Sequence, residues 1–161
     1  MRKVIWVGLV TAVLAGCHRQ VIVASPTPQP GAPQPTPASV SNQTGAADPA
    51  GAVRSFLAAA KAQDLQALAT VWGTPQGPAR DVIPRDELEK REIFLLRCLG
   101  HDSYRMISDA PAPDGGRVYA VELKRRDLTR TSNFYSVLGP AGRWYVEKFD
   151  VEPLQDFCTA G

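Results

Sequence analysis

Ala52–Trp72 reads AVRSFLAAAKAQDLQALATVW, two apolar stripes separated by a polar break. Val53, Phe56, Leu57 and Ala60 recur at helical spacing and predict a helix of about a dozen residues with one buried face. Asp48-Pro49 starts it. Aspartate at the N-cap accepts hydrogen bonds from free amides, and proline at the first helical position gives up no bond the helix would have made. Asp64 repeats the capping role, so that Leu65, Leu68, Val71 and Trp72 form a second apolar face that Gly73 ends.

Working outward, Thr74–Ile83, TPQGPARDVI, is punctuated by proline and glycine and reads as a loop. Pro84 opens the third and longest helix. Asp86 and Glu87 sit near the positive end of its dipole, Leu88, Leu95, Leu96 and Leu99 face inward, and Gly100 closes it. Asp86 with Lys90 and Glu87 with Arg91 are favourable pairs at four-residue spacing, each contributing only about 0.3–0.5 kcal/mol. They belong to a solvated face.

After Gly100 the period changes from helical to alternating. Ser103–Ser108, Arg117–Arg126, Arg130–Leu138 and Arg143–Val151 read as four strands, separated by Asp114-Gly115-Gly116, Asp127-Leu128-Thr129 and Gly139-Pro140-Ala141-Gly142. Turns this short suit antiparallel neighbours, because parallel strands need long crossovers. Three helices followed by a four-stranded meander predict an α+β domain with the helices packed across one face of a curved antiparallel sheet. About 110 residues is enough for a single core.

The Asp64 restart within Ala52–Trp72, the order of the elements and the closing strand GRWYVEKFDVEPL, Gly142–Leu154, resemble the NTF2-like, cone-shaped α+β superfamily over Pro49–Cys158. A cystatin-like fold, one helix over a sheet, is the nearest competitor, and the three helical segments argue against it. The resemblance implies three N-terminal helices packed on a curved four-stranded antiparallel sheet. It also implies a cone between the long helix and the sheet, which members of the superfamily use as an isomerase or dehydratase site, for binding, or for subunit contact. Enzymes of the group resembling ketosteroid isomerase or scytalone dehydratase need carboxylate, histidine or tyrosine side chains in that cone, where burial shifts their pKa. No residues here match those motifs one by one, and the fold alone carries no function.

The candidates for chemistry are few. His101, beside Asp102 and near Tyr104, is the histidine that could act in a general-base pair, although a helix-to-strand turn more often makes such a residue a cap or an exposed side chain. Asp64 could serve as a base in a cone enzyme, but capping already accounts for it. Trp72 and Trp144 are candidates to line a pocket, with simple core packing the alternative. The sequence has no Walker loop, G-x-S-x-G elbow, H-E-x-x-H or C-x-x-C motif, and its carboxylates are too scattered to predict a metal site. No cofactor is expected.

The chain begins MRKVIWVGLVTAVLAGC. Arg2 and Lys3 form a positive n-region ahead of an apolar stretch, Val4–Leu14, of signal-peptide length. It is too short to span a bilayer, which takes about 20 apolar residues. Leu14-Ala15-Gly16-Cys17 resembles the lipobox of bacterial lipoproteins. That resemblance implies removal of residues 1–16 and a thioether-linked diacylglycerol on Cys17. An ordinary signal cut after Ala24 and an uncleaved anchor are the alternatives. The same resemblance, with His18 where an aspartate would act as an inner-membrane retention signal in the enterobacterial pattern, implies sorting to the outer membrane facing the periplasm.

Residues 17–48 then read as a tether. SPTPQPGAPQPTP, Ser25–Pro37, favours extended polyproline II without a core, and residues 49–161 form the domain. The chain carries 18 basic and 16 acidic residues; losing Arg2 and Lys3 with the leader balances them. That balance argues against nucleic-acid binding, which needs a basic face. With Cys17 assigned to lipid, Cys98 and Cys158 remain as a pair in an oxidising compartment. A Cys98–Cys158 disulfide is expected, with two buried free thiols the alternative. The expected function is that of a membrane-anchored envelope lipoprotein whose non-enzymatic domain binds a small apolar ligand or an envelope protein. A cone-pocket acid–base enzyme and a homodimerising structural module are the competing readings.

Overall fold

The computed structural model describes residues 44–159. Helix α1, Pro49–Ala62, starts as its sequence requires: the Asp48 carboxylate accepts from the Gly51 amide at 2.6 Å and Pro49 occupies the first turn. It ends at Gln63, whose φ of 55° places it in the left-handed region while its amide donates to the Ala59 and Ala60 carbonyls. Helix α2, Leu65–Val71, follows at once, with the Asp64 carboxylate accepting from the Ala67 amide at 2.9 Å. Val53, Phe56, Leu57, Ala60 and Leu68 are all buried, so both apolar stripes face inward.

Thr74–Ile83 is more structured than its punctuation suggests. Gly73–Thr74 (β1) pairs antiparallel with Gly77–Pro78 (β2), and Ala79–Val82 forms the single turn α3. The two strands come together only because a side chain is missing. A Cβ on Gly73 would lie 2.5 Å from the Gly77 carbonyl oxygen and 2.9 Å from Pro78 Cα. Helix α4, Arg85–Leu99, then runs to Gly100. Of the two expected ion pairs on it, Glu87–Arg91 forms at 2.8 Å, whereas Arg85–Glu89 at 3.2 Å takes the place of Asp86–Lys90.

The sheet is a four-stranded antiparallel meander in the order β3 (Ser103–Pro111), β4 (Arg117–Arg125), β5 (Leu128–Leu138) and β6 (Trp144–Phe149). Strand β3 extends past Ser108 through an irregularity between Met106 and Ser108. Arg125 pairs with Leu128, so the β4–β5 turn is the two residues Arg126-Asp127, with Arg126 at φ 54°, and β5 starts earlier than its pattern indicates. Along β4, Tyr119, Val121 and Leu123 alternate into the core, as do Ser132, Phe134 and Ser136 on β5. Phe134 anchors the centre, stacked on Phe149 at 5.6 Å between ring centroids and edge-on to Phe56 at 6.3 Å.

The domain is therefore α+β, but its helices are not three N-terminal ones. Four helical segments precede the sheet, and α5, Gln155–Thr159, follows it after a 3-10 turn at Glu152–Leu154. The tail folds because it carries apolar side chains too short in sequence to show a period: Leu154 and Phe157 are fully buried. A Cys98–Cys158 disulfide, with Cα atoms 4.0 Å apart, joins α5 to α4. At the other end, ordered contacts begin before Asp48. Ala46 pairs with Trp144, and Arg143 donates to the Gly45 carbonyl at 2.7 Å. The leader, Cys17 and residues 18–43 of the tether lie outside the described residues.

Candidate functional site

The α4–β3 junction brings His101, Asp102 and Tyr104 close together without making them a catalytic group. The His101 ring is buried, its Nδ1–H donates to the Leu99 carbonyl at 2.7 Å, and its edge meets the Tyr104 ring at 5.6 Å between centroids. Asp102 is engaged elsewhere: its carboxylate accepts from the Arg126 amide at 2.7 Å, and its own amide donates to the Lys124 carbonyl at 2.7 Å. Lys61 donates to the Asp102 carbonyl oxygen at 2.5 Å. Asp102 therefore clamps the β4–β5 turn against the end of α1. Tyr104 is exposed on the edge strand.

Burial pushes the His101 pKa below its ordinary value of 6.5, helped by the nearby Lys61 ammonium and opposed by the Leu99 hydrogen bond and by Asp102. The neutral ring that results leaves Nε2 buried and without a partner. A histidine sealed in this way cannot exchange a proton with a substrate it does not touch. Asp64, exposed at the α1–α2 junction, acts as the cap described above.

An apolar cleft lies between α4 and the end of β6. Phe56, Trp72, Phe94, Leu95, Phe149 and Val151 line it, Glu147 and Lys148 contribute the β6 side, and its volume is about 180 Å³. Trp72 is held there by two local constraints: its amide donates to the Leu68 carbonyl and its indole Nε1–H donates to the Glu147 carbonyl at 3.2 Å. With the indole nitrogen satisfied, the ring presents an apolar face. Phe94, on the same helix turn as Leu95, remains 46% exposed at the cleft. The volume is below the roughly 300–1,000 Å³ of drug-sized sites, so one aliphatic tail, one small ring or one protein side chain fits. Trp144 plays a different part: it starts β6, pairs with Ala46 and Leu138, and packs on the core without lining this cleft.

One notable side chain has no counterpart in the sequence reading. Glu92 occupies the inward stripe Leu88-Glu92-Leu95-Leu99 of α4 and is only 3% exposed. Its Oε1 is buried without a hydrogen-bond partner, and burial, reinforced by Glu89, raises its pKa above 4.5. The signal was present in the spacing, since four residues after Leu88 and three before Leu95 is a core position. Among the described residues, no group of three or more His, Cys, Asp or Glu side chains could hold a metal ion, and no helix is long and apolar enough to cross a membrane. Comparison of the chain with family models, with curated proteins and with solved structures returns no match.

Proposed function

We propose that this chain is a bacterial envelope lipoprotein, anchored through lipid on Cys17 in the outer membrane and facing the periplasm, whose NTF2-like domain binds a small apolar ligand. The anchoring half rests on Leu14-Ala15-Gly16-Cys17 and the proline-rich tether that follows. The Cys98–Cys158 disulfide agrees with an oxidising compartment. The NTF2-like assignment rests on the helices packed against a four-stranded antiparallel meander and on the order of elements quoted above.

The observation that carries the binding half is the aromatic cleft between α4 and β6. Its lining is apolar, its one indole N–H is already bonded, and no candidate acid or base from the His101 cluster lines it. An apolar guest gains there by leaving water, at about 25 cal/mol per Å² buried. A second reading, docking of an envelope protein through an apolar side chain, draws on the exposure of Ile93 and Phe94 side by side on α4.

Two measurements on detergent-extracted protein test the proposal. Native mass spectrometry should find a chain beginning at Cys17 with a diacylglyceryl adduct, and Cys17→Ala should accumulate unprocessed precursor; unchanged processing and attachment would refute the anchor. Titration with 1-hexanol, followed by Trp72 emission in a Trp144→Phe background, should saturate, and Phe94→Asp should abolish the response. A response indifferent to Phe94→Asp would remove the cleft from the function.

A further inference from the structure

We infer that the open pocket between α2, α3 and α4 is a second ligand site, in which Glu92 receives the ammonium group of a small zwitterion and Arg80 and Arg85 receive its carboxylate. The pocket has a volume of about 290 Å³ and is lined by Gln66 and Ala69 from α2, Arg80 from α3, and Arg85, Leu88, Glu89 and Glu92 from α4. It shares no lining residue with the aromatic cleft, so it stands independently of the function proposed for that cleft.

The case begins with the cost of the present arrangement. A leucine at position 92 would continue the Leu88, Leu95, Leu99 stripe, yet the chain places a carboxyl group there, 3% exposed and with Oε1 unpartnered. Buried polar atoms in folded proteins are nearly always hydrogen-bonded, and an exception calls for an explanation. The other such atom among the described residues, His101 Nε2, lines none of these cavities. Glu92 is among the residues lining the pocket; Oε1 itself is shut off from water, and a turn of the carboxyl group about its soft terminal torsion brings it to a donor supplied from outside the chain.

The charges around it specify that donor. Glu89 lies three residues before Glu92 on the same face of α4, which gives two carboxylates and the Gln66 amide oxygen as acceptors. An ammonium carries three donors and no acceptor, matching that set. The arginines supply the opposite end. Arg85 bonds Glu89 through Nε at 3.2 Å, and Arg80 has the adjacent Asp81 at 3.6 Å. Their guanidinium Nη groups have the planar fork that pairs with a carboxylate. Two positive and two negative side chains around one small pocket fit a ligand bearing one charge of each sign better than a bare cation or anion. A metal ion is a poor fit, because no third acidic, histidine or cysteine side chain joins the pair among the described residues.

Isothermal titration of the full-length, detergent-extracted chain with L-alanine, propylamine and propionate tests the inference. L-Alanine should bind saturably, propylamine more weakly, and propionate weakest. Glu92→Gln keeps the shape and removes the charge; it should weaken L-alanine binding by about 10- to 100-fold, the worth of one charge-assisted hydrogen bond. Arg80→Ala, at an exposed position, should weaken L-alanine and leave propylamine unchanged, while Phe94→Asp should alter neither. Absence of L-alanine binding, equal binding by folded Glu92→Gln, or tighter binding of propionate than of propylamine overturns the ammonium assignment. Unchanged L-alanine binding in Arg80→Ala overturns the zwitterion.

Discussion

Removing the Cys98–Cys158 bond by the double substitution Cys98→Ala/Cys158→Ala should destabilise the domain chiefly through the unfolded chain. The bond closes a loop with a sequence separation of 60, for which the chain-entropy relation gives about 14 cal/mol/K, or about 4 kcal/mol at 25 °C. For a domain of this size, roughly 4 °C of Tm accompanies each kcal/mol, so Tm should fall by about 15 °C. The native tail should stay docked, because Phe157 and Leu154 are fully buried and Arg125 donates to the Phe157 carbonyl at 2.8 Å. Urea unfolding of the wild type and the double variant measures both parts. The midpoint should drop, and the m-value should rise because an unlinked chain exposes more surface. Phe157→Ala with the bond intact is the control: it should lower stability by about 3–5 kcal/mol through lost packing, with m unchanged. A loss below about 1 kcal/mol in the double variant, or a larger loss with no increase in m, would refute the entropic account.

Three further outcomes follow from individual side chains. The folded pKa of His101 lies below 6.5, so its contribution to stability is complete above that value and is lost as pH falls through the folded pKa; His101→Gln should flatten the rise in urea midpoint with pH below about 6.5. Glu92 has the opposite sign: its pKa is raised above 4.5, so its charged form costs stability as pH rises through the folded pKa. Glu92→Gln should therefore raise stability at pH 7.5 by about 1–3 kcal/mol and by much less at pH 4; equal melting temperatures at pH 7.5 would contradict the burial assigned to it. Gly73→Ala drives a methyl group into the Gly77 carbonyl and Pro78 backbone. It should cost about 1–3 kcal/mol by urea unfolding, as overpacking does elsewhere, and a neutral result would mean that the β1–β2 pair shifts freely.

Helices α1, α2 and α4, the two aspartate caps and the antiparallel meander were legible in the sequence because each depends on residues within a turn or two of one another, whereas β1, β2, α3 and α5 were not. Asp48 and Asp64 meet amides three residues away, and β4 and β5 pair across a two-residue turn. Cysteine parity pointed to the disulfide in the same economical way. The site was different. Asp102 stands beside His101 in the chain, but its carboxylate is taken by an amide 24 residues away, so adjacency did not become a catalytic pair. Trp72 and Trp144 read alike as aromatic residues, yet only the first lines the cleft, since α4 and β6 meet beside it. The spacing of Glu92 puts it on the inward stripe of α4, but that this stripe meets a pocket there is decided only by the packing of α2 and α3. Local periodicity and capping by themselves determined α1, α2, α4 and the four strands of the meander, but not β1, β2, α3 or α5. Which charges lose their water, and which neighbours in sequence converge, only the tertiary structure decided, because burial is set by distant segments that no short window contains.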